Sequence, residues 1–185
     1  MHLLLTLLIG HLFADFPLQT NALARYKSKH VNGVLIHVLI YTTITALLIE
    51  QWATYWPLIL LLGLAHFLVD VAKPRLCPLM NELVAFVFDQ ALHLFSMVAL
   101  AWFAHWWWPV APQGIVPHTW LLWLLIAATL PALVVTYWVW ATHSNDSWRG
   151  RHGWLSLFYP RALLLEQRFG QAVIGFTFWL LMRPH

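Results

Sequence analysis

Long apolar runs separated by short loops leave this chain few ways to fold. The runs cover residues 2–19, 33–50, 57–73, 82–105 and 118–142, with a weaker one at 163–182. A helix needs about 20 apolar residues to cross the hydrocarbon core of a bilayer, and a helix satisfies its backbone hydrogen bonds within itself. Hydrophobic residues make up 61% of the chain and charged residues 9%, against about 25% charged in soluble domains. The expected fold is therefore all-α, a polytopic transmembrane bundle of about six spans. Glu166 and Arg168 fall early in the last run and leave a clean stretch only from Phe169 to Met182, so five spans plus a re-entrant or interfacial helix is the alternative. One integral membrane domain, 1–185, is expected, with a four-helix half at 1–105 and variable C-terminal helices at 106–185.

The loops carry an orientation. Arg25, Lys27 and Lys29 follow the first run, Lys73 and Arg75 the third, and Arg149, Arg151, Arg161 and Arg168 the fifth, whereas 51–56 and 105–117 contain no lysine or arginine. By the positive-inside bias the basic loops face the cytoplasm and both termini lie outside. Trp52, Trp56, Trp106, Trp107, Trp108, Trp120 and Trp123 form the expected outer aromatic belt, and Trp138, Trp140, Trp148 and Trp154 the inner one. The mixed segment Ser144 to Arg161 is expected at the headgroups. The net charge of +3 is read as a topology signal, with no nucleic-acid surface. Cys77 is the only cysteine, which excludes an intramolecular disulfide and a cysteine-based zinc site. The N-terminus has no basic leader region or small-residue cleavage site and is expected to remain as the first span.

Three aspartates inside these runs each stand four residues from a histidine: His11 with Asp15, His66 with Asp70, and Asp89 with His93. Residues i and i+4 project from one helix face, so each pair offers an imidazole and a carboxylate to one point. With 11 histidines in 185 residues, chance yields three such pairs with a probability on the order of 1%, which sets accident aside. At 1.5 Å per residue, Asp15 and His11 lie about 6 and 12 Å before the inner end of their run, and Asp70 and His66 about 5 and 11 Å before theirs. His37, Asp89 and His93 reach comparable depth. Internal spacing agrees: His37 follows His11 by 26 residues and His93 follows His66 by 27. GHLFADF (Gly10 to Phe16) and AHFLVDV (Ala65 to Val71) suggest two similar hairpins about a parallel pseudo-two-fold axis.

Burying three carboxylates uncompensated costs several kcal/mol each, and a divalent cation is the simplest compensation. His11, Asp15, His37, His66, Asp70, Asp89 and His93 are therefore the expected metal ligands, with Asp15, Asp70 and Asp89 as the catalytic candidates. Imidazole with carboxylate fits zinc first, with manganese or iron as alternatives, and fits magnesium poorly. One or two ions are compatible with this donor set. Gln19, Asn21, Tyr41, Lys73, Gln90 and His143 fall near the same layer; for Lys73 the expected place is the headgroup region, with pairing to Asp70 as the alternative.

GHLFADFPLQ, the basic loop after it, His37, AHFLVDVAKPR and FDQALHL together resemble a bacterial multi-pass membrane family of unknown function, domain of unknown function 3307. The resemblance runs from Gly10 to Leu94 and implies a place in the bacterial inner membrane, but no activity. A looser similarity links the His and Asp spacing to membrane-bound metal-dependent hydrolases. The functional expectation is a metal-dependent hydrolase acting on a lipid or amphiphile at the cytoplasmic leaflet. The alternatives are a divalent-metal or proton-coupled transporter, a b-type haem protein and a structural or accessory membrane subunit.

Overall fold

Proline and capping residues decide where the helices begin and end. The structure, a computed structural model, describes residues 2–76, 80–143, 168 and 171, and among these it is helical with no strand. Helix α1 (His2–Asp15) stops short of the expected residue 19. Phe16 precedes Pro17, and a residue before proline is pushed out of helical backbone, so the chain turns at 16–19. At 1.5 Å per residue α1 is about 21 Å long, less than the ~30 Å hydrocarbon core. A short helix that the apolar pattern does not announce follows, α2 (Asn21–Lys27), started by Thr20, whose Oγ1 accepts the Leu23 N–H at 3.2 Å.

The remaining helices are α3 (Val31–Leu48), α4 (Trp56–Leu76), α5 (Glu82–Trp107) and α6 (His118–His143). Each of these four is long and apolar enough to cross a membrane. Asn81 caps α5 by accepting the Val84 N–H at 2.8 Å. Helix α4 continues past the expected residue 73 through Pro74, which has no N–H to offer the carbonyl of Asp70. Helix α6 passes through Pro131. The expected sixth run at 163–182, apart from helical Arg168 and Gln171, and the segment Ser144 to Arg161 lie outside the described residues.

Helices α1, α3, α4 and α5 form a ring in that order, α5 closing back on α1; α6 packs on α1 and α5, and α2 on α3. Helices α1 and α4 are thus diagonal and run in the same direction, in keeping with the similarity of GHLFADF and AHFLVDV. Leu7, Leu58, Leu62 and Met97 fill the middle of the ring, and Ile9, Phe13, Ile44 and Leu121 fill the seam with α6. Leu39, Leu60, Phe95 and Leu133 stay exposed on the outside, as lipid-facing side chains do.

The two ends differ in chemistry. At one, Glu50 N–H donates to Gln113 O at 2.8 Å, Ile115 N–H to Leu48 O at 2.9 Å, and Gly114 N–H to His2 Nδ1 at 3.1 Å. These bonds join the lysine-free loops to the start of α1, with Trp52, Trp56, Trp106, Trp107 and Trp120 exposed around them. At the other end lie the turn after α1, α2 with Arg25 and Lys27, and the end of α4 with Lys73 and Arg75. The side chains of Trp138, Trp140, Trp148 and Trp154 are outside those described.

Close approach of α3 and α4 depends on Gly63, where a Cβ would stand 2.6 Å from Thr42 Cγ2. Gly63 lies one turn from His66 and so sets how near α4 brings that ring to α3. Gly63→Val is expected to destabilise the protein by about 1–3 kcal/mol through overpacking, read as a lower unfolding midpoint in mild detergent.

Candidate metal centre

All seven residues singled out in the sequence meet between the four ring helices, toward the basic end. His11 and Asp15 come from α1, His37 from α3, His66 and Asp70 from α4, and Asp89 and His93 from α5. Every one of them is buried. The middle of the cluster is four atoms: Asp15 Oδ1, His37 Nε2, His66 Nε2 and Asp70 Oδ2. His37 Nε2 is 3.1 Å from Asp15 Oδ1, 3.0 Å from His66 Nε2 and 3.8 Å from Asp70 Oδ2. His66 Nε2 is 3.6 Å from each of the two carboxylate oxygens.

The separations of each carboxylate oxygen from the two histidine nitrogens, and of those nitrogens from each other, bracket the spacing of about 3.4 Å between ligands held at about 2.0–2.1 Å around a tetrahedral zinc-like ion. Protons account for them less well. A neutral imidazole carries one N–H, so His37 and His66 between them cannot give a proton to each of the contacts that their Nε2 atoms make with each other and with the two carboxylates. A cation there would take a lone pair from each histidine nitrogen and from a carboxylate oxygen, and Asp15, His37 and His66 lie close enough together to hold one.

A second group lies beside the first. Asp70 turns Oδ1 toward His93 Nε2, 3.8 Å away, and Asp89 Oδ1 stands at the same 3.8 Å from that nitrogen. Neither Asp89 Oδ1 nor His93 Nε2 has a hydrogen-bond partner. His66 and His93 stack with ring centroids 4.2 Å apart, and His11 sits 4.9 Å from His93. His11 Nδ1 approaches Asp15 Oδ1 at 3.5 Å, and its Nε2 faces Gln90 Oε1 at 3.4 Å. Tyr41 packs its ring 4.5 Å from His66, closing the cluster toward the Trp-rich end, where Leu7, Leu58 and Leu62 follow.

Two lysines bring positive charge to the carboxylates. Lys27 Nζ donates to Asp70 at 3.4 Å from Oδ2 and 3.5 Å from Oδ1, and Lys73 Nζ donates to Asp89 Oδ2 at 2.6 Å. Lys73 thus reaches across to α5 instead of pairing with Asp70 on its own helix. Lys27 is the residue at this cluster that sequence reasoning did not single out: it counted only as a topology charge, because α2 has no apolar run to reveal it. Thr20 as a helix cap is the one local signal for α2. Gln90 bonds the neighbouring helix through His11 and also donates to Asp89 Oδ2 at 3.5 Å. The side chains of Asn21 and His143 are outside those described.

An open-sided cavity of about 430 Å³ leads to this cluster from the basic end, lined by Gln19, Lys27, Ser28, Val34, Asp70 and Lys73 among others. Asp70 is therefore both part of the metal-like donor set and part of the cavity wall.

A family model described as "Protein of unknown function (DUF3307)" covers residues 3–113, a stretch that contains all seven clustered residues. No curated protein and no solved structure matches the chain.

Proposed function

Since the chain belongs to the DUF3307 family, whose description assigns no activity, its function has to be read from the site, and we propose a membrane-embedded metal-dependent hydrolase. Its substrate is a lipid or other amphiphile drawn from the cytoplasmic leaflet of the bacterial inner membrane, with both termini periplasmic. The observation that carries this reading is the spacing of Asp15, His37, His66 and Asp70 beside a cavity that reaches them from the basic end.

A divalent cation held there, zinc in preference to manganese or iron, would supply Lewis acidity, lowering the pKa of water towards about 7 and polarising a carbonyl or phosphoryl oxygen. The ion would be held among Asp15, His37, His66 and Asp70, and a carboxylate oxygen not engaged in holding it would take the proton from the attacking water. Lys27 and Lys73 line the cavity and suit an anionic headgroup. Tyr41 and the leucines behind it keep bulk water out of the cluster from the far side. That apolar packing also counts against a transporter, which needs polar groups along a path to the opposite face.

The test uses the purified protein in lipid nanodiscs, metal-loaded or chelated, with a panel of phospholipids and other amphiphiles and product release as the readout. Release that requires both metal and an intact Asp70 is the expected result. Metal-loaded protein that cleaves nothing across the panel overturns the reading.

A further inference from the structure

We propose that the centre holds a second divalent cation, bound by Asp70 Oδ1, Asp89 Oδ1 and His93 Nε2, with Asp70 as the carboxylate shared between two ions. This rests on the metal-dependent reading above and extends it from one ion to a pair.

The two oxygens of Asp70 look in different directions. Oδ2 faces His37 at 3.8 Å and His66 at 3.6 Å, while Oδ1 faces His93 at 3.8 Å. A carboxylate placed so joins two ions at the ~3.5–4 Å separation of paired hydrolytic centres. The second position also explains two atoms that the first leaves idle. Asp89 Oδ1 and His93 Nε2 are buried, 5% and 1% exposed as residues, and lack hydrogen bonds, although a buried carboxylate oxygen without a hydrogen bond is costly. They lie within 4.8 Å of each other and of Asp70. His11 flanks the position from α1, its ring 4.9 Å from that of His93.

The lysines mark where positive charge belongs. Lys27 Nζ sits astride both Asp70 oxygens, and Lys73 Nζ neutralises the outer oxygen of Asp89 while its inner oxygen stays free. Two divalent ions outweigh the three carboxylates, so loading the pair releases Lys27 toward the cavity, where it lines the wall and can meet an anionic group of the substrate.

Manganese titration with electron paramagnetic resonance tests this on the full chain in nanodiscs. Two ions per chain are expected, with the spectrum of an exchange-coupled pair; Asp89→Asn is expected to retain one ion and to show the spectrum of isolated manganese. One ion per chain with an isolated-ion spectrum in the wild type overturns the pair and leaves the hydrolase reading standing. Because the wild-type spectrum decides alone, the test survives a variant that fails to fold. A coupled pair in a protein that hydrolyses no lipid upholds this proposal and overturns the hydrolase reading instead.

Discussion

Asp70→Asn is expected to lose its bound divalent cation and to fall below detectable lipid hydrolysis while still eluting as a folded protein. Asp70 uses both of its oxygens: it meets His37 and His66 through one, His93 through the other, and Lys27 through both. Asparagine keeps the shape but replaces an anionic oxygen with an amide nitrogen that cannot ligate as a carboxylate does. Removing an outer partner of a metal ligand costs about 10–100-fold, and removal of a carboxylate that faces three of the histidines exceeds that. Breaking a buried ion pair costs about 3–5 kcal/mol when the partner charge is trapped. Lys27 is not trapped, because it lines the cavity at the basic end and can extend to the headgroups. Elemental analysis and the hydrolysis panel check the prediction together, beside Glu50→Gln, which changes an exposed carboxylate at the far end and is expected to leave both unchanged. Full metal content in Asp70→Asn would remove Asp70 from the ligand set.

The sequence makes the ingredients of this centre legible, and the fold supplies what it leaves out. Helical period places each histidine and aspartate pair on one face, and counting residues from the basic loops brings His37 to the same depth. Those steps need only 1.5 Å per residue and a direction for each span. Neighbour order is different in kind, because it depends on packing among helices of similar hydrophobicity. That α5 closes against α1, bringing Gln90 to His11, has no local signature. Lys73 shows the same limit: its nearest aspartate in sequence is Asp70, yet its long side chain crosses to Asp89. The early end of α1 was written in Pro17, whereas α2 and its Lys27 rested on Thr20 alone.

Adding a divalent cation to metal-stripped protein is expected to raise its unfolding midpoint on the order of 10 °C, and a chelator is expected to reverse the rise. A ligand that binds only the folded state stabilises it by about 4 kcal/mol at a thousandfold excess over its dissociation constant, and a chain of this size gains roughly 2–4 °C per kcal/mol. The source of the effect is visible in the charges of the cluster. Three buried carboxylates share two lysines, and Asp15, which has neither, is faced only by the imidazoles of His11, His37 and His66, two of which also turn their Nε2 atoms toward each other. A cation relieves both shortages at once by neutralising charge and accepting the opposed lone pairs. A metal-free hydrogen-bonded network makes the opposite forecast, since zinc, manganese and iron would then leave the midpoint where it is. The direction of the shift follows from charge balance alone, so a midpoint indifferent to all three ions and to the chelator would assign these histidines and aspartates to holding helices together rather than to chemistry.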